Sequence, residues 1–404
     1  MLKKVFALLC TCVVVVGTIA SCDVQTVDTA YSMKSLSEIR AEADDWDTIS
    51  AKFENLKLSE TAVYVPDADK MNFFLLNSVE LSPEQREEYL LETAQLLGDS
   101  QPDLHDIVYL NYDSEKIPYS EVKTDPERNE DKYYFVKYLT DALDIGINIG
   151  GNYIYARRKD IAEIAGSGNE DYWIDRTGNP SKTYNLRGKT PDTVVLVQDG
   201  EQKISEIVEL MINTLSETPF YKIDKLKLCA DEAQVYSMGD KSAVNISFFY
   251  EYNGIPIDSY FRGYGMNIET GLYDTLRTSM KCEASAAWKN SIDELYGAHY
   301  YSVSESEEYA DKFIGLEDFL SRISEKLTGN TSFDIESVEL VYGLNRVLSD
   351  EYYSTPDAKP WEYTTLRLEA EPVWIANIPQ TGIADTPNMR IVMNAATGEI
   401  EMFR

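Results

Sequence analysis

The sequence predicts a multi-module α+β protein, and three observations predict it. Apolar residues recur at spacings of three and four in two places, Ile204, Ile207, Val208, Met211, Ile212 and Leu215, then Leu316, Phe319, Leu320, Ile323 and Leu327. That spacing lines one side of a helix. Strand-like segments follow each helix: Tyr221 to Cys229 and Ala243 to Tyr252 after the first, Phe333 to Leu344 and Tyr363 to Ile378 after the second. Each set then closes on the string Met-Asn-x-x-Thr-Gly, at Met266–Gly271 and Met393–Gly398, 127 residues apart. A helix that is apolar on one face needs a sheet to cover it, so each repeat is expected to form a helix packed on an antiparallel meander. Thr270-Gly271 and Thr397-Gly398 are the expected hairpin turns, since glycine tolerates the positive φ that tight turns demand.

The N-terminal half reads as a further α+β region. Leu56-Lys57-Leu58 through Tyr64-Val65 alternates, Pro66 to Asp69 turns, and Phe73 to Leu81 returns, a predicted hairpin. Ser82 caps a helix with Pro83 at its first position and Gln85 completing a capping box; Leu90, Leu91, Ala94 and Leu97 mark its apolar face and Gly98 stops it. Asp99 to Arg128 reads as loop, Asp131 to Leu143 as helix, and Ile145 to Tyr155 as strand. With 404 residues, 44% hydrophobic and 26% charged, the chain has material for two or three domains. The predicted divisions are a signal at 1–21, a polar tether at 22–54 ending in a short helix over Leu36 to Phe53, an α+β region at 55–190, and modules at 191–300 and 301–404.

The chain opens with Lys3 and Lys4, an apolar run from Val5 to Val16 too short to span a bilayer, and the sequence Ile19-Ala20-Ser21-Cys22. This run resembles bacterial lipoprotein signals. The resemblance implies cleavage before Cys22, a diacylglyceryl group on its thiol, and a location at the cell membrane, lipid-anchored and facing outside the cytoplasm. The formal charge of −32 becomes −34 once Lys3 and Lys4 leave with the signal. A surface of that sign repels nucleic acid and anionic lipid headgroups. Of five cysteines, Cys229 and Cys282 remain in the mature domain region, open to a single disulfide or to two free thiols.

Residue patterns that carry chemistry are sparse. His105 and His299 are the two histidines, neither beside a nucleophile in a suggestive spacing. Gly146-Ile147-Asn148-Ile149-Gly150-Gly151 lacks the Lys-Ser/Thr of a P-loop and reads as a turn or bulge. Gly263-Tyr264-Gly265 lacks the third glycine of a dinucleotide fingerprint. Asp44, Asp45 and Asp47, and Asp67 and Asp69, do not continue into a calcium loop, and Glu307-Glu308 point apart. No catalytic residue, metal ligand or cofactor is therefore assigned. Twenty-eight tyrosines against thirteen phenylalanines point to sheet surfaces where a ring packs and a hydroxyl stays wet; ordinary strand propensity accounts for them first, and a tyrosine-lined protein- or glycan-binding face is the functional version.

Helix, strands and a closing hairpin reading Asn394-Ala395-Ala396-Thr397-Gly398-Glu399-Ile400 resemble the PepSY-type domains of secreted and membrane-anchored bacterial proteins, over roughly residues 195–404. Asn267 and Asn394 stand where that pattern often has Asp. The whole chain, with Val63-Tyr64-Val65-Pro66-Asp67 and Asn253-Gly254-Ile255-Pro256-Ile257, is similar to an uncharacterised family of Firmicutes lipoproteins. These resemblances imply a non-enzymatic lipoprotein that binds or regulates a protein or peptide partner at the cell envelope. The alternative is a lipoprotein that recognises a peptide or cell-wall fragment in a cleft between modules.

Overall fold

The N-terminal segment that reads as a tether is built into the C-terminal module. A computed structural model describes residues 31–59, 61–124, 133–149, 153–160, 180–187, 190–262, 282–297, 301–327, 332–347, 367–379 and 389–403, with short stretches at 266–267, 272–273, 276–278 and 280. Cys22, the signal, Thr270, Gly271 and His299 lie outside them. Strand β1 (Met33–Lys34) pairs with Phe313–Ile314. Helix α1 (Leu36–Asp44) opens on a capping box between Ser35 and Glu38 and buries Leu36 and Ile39 completely. Helix α2 (Trp46–Ser50) buries Ile49. Glu42 accepts from Leu316 N–H at 2.9 Å, and the Asn55 amide donates to Ser324 O and Leu327 O, so this segment staples both ends of the final helix. The expected tether to residue 54 is thus corrected: three buried aliphatics among many polar residues were enough to seat the segment, because the polar ones supply caps.

Strand β2 (Leu56–Lys57) runs parallel to Phe333–Asp334, and β3 (Ala62–Tyr64) parallel to Ser337–Glu339. Strand β4 (Met71–Ser78) pairs antiparallel with 301–310 and with 367–370. The predicted hairpin between these segments therefore does not form. Alternation fixes that a strand exists and which face it buries, and leaves its neighbour open. Helix α3 (Pro83–Leu96) is capped by Ser82 and Gln85 as predicted. Strands β5 (Ile107–Asn111) and β6 (Lys116–Pro118), helix α4 (Tyr119–Thr124), then β7 (Tyr133–Leu139), β8 (Leu143–Asn148) and β9 (Ile154–Arg158) follow. Two corrections fall here. The helix expected over Asp131 to Leu143 is a strand, its aromatic run Tyr133-Tyr134-Phe135 favouring extended backbone and Val136 and Tyr138 facing the core. The loop expected from Asp99 holds β5, whose Ile107 and Tyr109 are fully buried.

The remaining strands are β10 (Lys182–Asn185), a ribbon of β11 (Val194–Val197) and β12 (Gly200–Lys203), helix α5 (Ile204–Leu215), then β13 (Leu226–Met238), β14 (Lys241–Tyr252), β15 (Ile255–Arg262), β16 (Met266–Asn267), β17 (Leu272–Tyr273), β18 (Leu276–Thr278), β19 (Cys282–Ala286) and β20 (Glu294–Gly297). The last part holds β21 (Tyr301–Ala310), β22 (Phe313–Ile314), helix α6 (Leu316–Lys326), β23 (Phe333–Asp334), β24 (Ser337–Val347), β25 (Arg367–Ile378), β26 (Met389–Asn394) and β27 (Ile400–Phe403). A first sheet runs β10–β13–β14–β19–β20–β9–β8–β7–β5–β6, and a second runs β15–β24–β25–β26–β27, joined through β15. Residues 33–404 form one compact unit, so the expected modules share their sheets.

The repeated string has a structural meaning. Met266 pairs with Tyr273 and Met393 with Ile400, so both hairpins close in one register 127 residues apart. A third hairpin has the same form: Ile147 pairs with Ile154, and Asn148 N–H donates to Tyr153 O as Asn394 N–H does to Glu399 O. In the last copy Asn394 Oδ1 accepts from Ala396 N–H and Thr397 N–H, and Gly398 sits at φ +79°.

Candidate functional site

The first sheet has two faces of opposite character, and its register assigns each residue to one of them, because cross-strand partners share a face. Ala284, Leu295, Ala156, Ile145, Tyr138 and Ile107 form one row across six strands, every one buried. Helix α3 packs on this side, against β7 and β8. One residue further along each strand lies the other face. There Glu283, Tyr296, Tyr155, Gly146 and Lys137 make one row, and Ser285, Glu294, Arg157 and Asp144 the next.

This inner face is polar yet buried: Ser285 is 0%, Glu294 1%, Glu283 6% and Asp144 8% exposed. Asp144 sits at its centre and accepts from Arg157 at 3.3 Å, from Tyr155 Oη at 3.3 Å and from Lys137 Nζ at 3.4 Å. Ser285 donates to Asn245 at 2.9 Å. Gly146 is required beneath Tyr155, since a Cβ there would lie 2.6 Å from the ring. Beside the ion set stand four half-buried rings, with Phe135–Tyr153 centroids at 5.7 Å, Phe135–Tyr155 at 5.9 Å and Tyr153–Tyr296 at 6.1 Å. The Lys137 ammonium lies 5.2 Å from the Tyr155 ring centroid. Burial, reinforced by Asp144, pushes the Tyr155 hydroxyl well above the ordinary tyrosine range, and burial likewise raises Tyr153. Both hydroxyls stay protonated at neutral pH, so the face presents aromatic surface and hydrogen-bonding tips.

Arg187 carries this face to the second sheet. Its guanidinium bonds Asp231 and Glu339 and lies 4.8 Å from the Phe249 ring centroid, Phe249 being on the inner face with Asn245. Glu339 is on the side of β24 opposite the one that faces α6 with Leu340 and Trp374. Tyr64 is beside it, packed on Val341, Val373, Ile375 and Val392 and pushed up to about 12, by burial first and by Glu251 next.

The cysteine question is settled by register. Cys229 pairs with Phe249 and Cys282 with Phe248, and consecutive residues of β14 face opposite sides, so the two thiols lie on opposite faces of the sheet. Burial pushes the Cys229 thiol up to about 11, with Glu251 adding to it. His105 is exposed on a single 3-10 turn, its N–H donating to Asp103. Of the inner-face residues the sequence singled out Gly146, read as part of a turn or bulge and found instead within β8, and Cys229; the ion set and the rings were not singled out. The available signal was partial alternation, as in Val136-Lys137 and Asp144-Ile145-Gly146-Ile147, where apolar Val136, Ile145 and Ile147 stand next to residues of the other face.

No family model and no curated protein matches the chain. Among solved structures it is similar to an uncharacterized protein from Eubacterium rectale, at 16% identity and a TM-score of 0.48, over 85% of this chain and 90% of that one.

Proposed function

We propose that this protein is a non-enzymatic, membrane-anchored extracytoplasmic lipoprotein that binds a protein or peptide partner at the cell envelope. The partner seats on the inner face of the first sheet, around Phe135, Tyr153, Tyr155 and Tyr296. The observation that carries this reading is the row of four half-buried rings beside an ion set already neutralised by its own pairs. Half-buried rings give contact area at low entropic cost, and the paired charges beneath fix orientation. On this reading the units after α5 and α6 are PepSY-like modules, and the lipid on Cys22 is the anchor. Met33 follows Cys22 by eleven positions along the chain, a span of at most about 40 Å. So short a leash keeps the binding face at high effective concentration for neighbouring envelope proteins.

A cell-wall fragment is the second reading, favoured by the same half-buried rings, whose faces also suit the apolar faces of sugars. One set of variants separates these readings. Cys22→Ala should release the folded protein from high-salt-washed membranes; retention there would overturn the anchor. Tyr153→Ala with Tyr296→Ala, in the lipidated protein, should cut stoichiometric recovery of a membrane partner about tenfold. Undiminished recovery would remove the inner face as the site. Thermal stabilisation of purified protein by wall fragments, lost in the same double variant, would favour the second reading.

A further inference from the structure

The ribbon β11–β12 packs against β14 through β11 and carries a sheet edge that is unpaired among the described residues. Val195 and Val197 point down and are buried, whereas Val194 and Leu196 are 51% and 39% exposed. The hydrogen-bond parity of the ribbon is fixed: Val197 pairs with Gly200 across a two-residue turn, and Ile204 N–H donates to Thr193 O at 2.9 Å. Odd-numbered residues of β11 therefore bond β12, and the N–H and C=O groups of Val194 and Leu196 point the other way. Among the described residues β12 is the one strand paired with β11, and no backbone group bonds Val194 or Leu196.

Sheet edges are normally blunted by lysine, proline or a bulge. The strand here reads Val-Val-Leu-Val and has none of these. It is also held rigid. Gln198 N–H donates to Ala287 O, Lys289 N–H to Asp199, and Gln202 exchanges bonds with Asn290, so the ribbon's tip is clamped to the turn after β19. Asp192 precedes the edge and accepts from Ser205 Oγ, Asp199 follows it and accepts from Lys289 N–H, and on β12 Glu201 stands opposite Leu196 and Lys203 opposite Val194.

We propose that β11 is a docking strand for an extended peptide segment with apolar side chains at alternate positions and Lys or Arg at each end. Such a segment adds a strand to the edge through the backbone groups of Val194 and Leu196. Its apolar side chains lie against the exposed Val194 and Leu196, and its terminal cations face Asp192 and Asp199. Main-chain bonds supply the affinity of such an edge, while the alternation and the flanking charge supply selection.

The test uses the full mature chain and the synthetic probe acetyl-Lys-Val-Thr-Val-Thr-Val-Lys-amide. Calorimetric titration should show saturable binding, with slowed amide exchange at Val194 and Leu196. Leu196→Pro removes one outward N–H without touching the ladder to β12, so it should leave the thermal midpoint nearly unchanged and weaken the probe about tenfold. A probe with glutamates in place of its lysines, and one N-methylated at alternate residues, should bind at least about as weakly. Absence of saturable binding by the lysine probe, or equal binding by Leu196→Pro, overturns the proposal. So does a concentration-dependent dimer of the wild-type chain that Leu196→Pro abolishes, since the edge would then be reserved for a second copy. The tyrosine-face variants should leave probe binding intact, which keeps this test separate from that of the inner face.

Discussion

The two helix-and-meander units of the C-terminal half share a closing string and its register, yet their hairpins sit in different places. In the second unit β26 stays beside its predecessor, six residues of 389–394 pairing with 373–378 of β25. In the first, β15 leaves β14 after three pairs. The departure has a local cause and a distant one. Asn253 and Gly254, at φ 52° and 78°, make a tight two-residue turn that starts the pairing at Tyr252–Ile255. The rest of that edge, Val244 to Phe248, is occupied by β19. Displaced, β15 runs parallel to β24 of the other unit, and its Asp258 bonds Arg390 on β26 at 3.0 Å, both side chains nearly buried. A hairpin motif thus sets its own register, and competition for an edge decides its seat.

Each unit also buries one aromatic with a polar tip, which in the second anchors the helix and in the first holds the segment after it. Trp374, fully buried, stacks on Phe319 of α6 at 5.4 Å and donates from Nε1 to Ile314 O at 2.8 Å. Its counterpart in role is Tyr250, whose hydroxyl donates to Tyr221 O at 2.8 Å. The comparison is most exposed to Trp374→Ala, which should cost about 3–5 kcal/mol by leaving a cavity and an unpaired carbonyl. Tyr250→Phe keeps its ring and should cost about 1 kcal/mol. Guanidinium denaturation of both variants measures the gap; equal costs would mean that Trp374 does not seat α6.

A smaller effect tests whether the two turns are equivalent. Gly398→Ala forces a Cβ into left-handed backbone and should cost about 1 kcal/mol. If Gly271 holds the same place, Gly271→Ala should match it within a few tenths of a kcal/mol, and a neutral Gly271→Ala would confine the shared turn to the second unit.

A further effect is alkaline. Cys229 in the first unit is raised from 9.0 to about 11, and Tyr64 beside the second from 10.0 to about 12. In both the folded state holds the proton more tightly than the unfolded chain. Their contribution is therefore complete below about 9, and it falls as pH rises, first through the thiol's window and then through the phenol's. Thermal midpoints should decline across that range. Cys229→Ala should flatten the decline between about 9 and 11, and Tyr64→Phe between about 10 and 12. A midpoint that rises above pH 9 would contradict both placements.

Elements defined by their own residues were legible in advance. The capped helix at Ser82-Pro83-x-Gln85, the one-faced helices after Ile204 and Leu316, and the Gly398 hairpin all depend on groups within a few positions of one another. The third hairpin was half legible: Ile147-Asn148 begins like Met393-Asn394, but Thr-Gly is missing from its turn. The inner face was not, since Lys137, Asp144, Arg157 and Glu294 come from four strands up to 157 residues apart and look like ordinary solvent-facing positions in each.

What the sequence determined by itself was local: helix caps, strand alternation, turn chemistry and the register of a repeated hairpin, each settled by backbone hydrogen bonds and φ preferences over a few residues. Only the tertiary structure decided which strands become neighbours, that Glu42 and Asn55 cap a helix some 270 residues away, and that the two cysteines face opposite sides of a sheet. The physical reason is that any strand edge offers the same donors and acceptors. Partner choice falls to competition among distant edges, and no local pattern records its outcome.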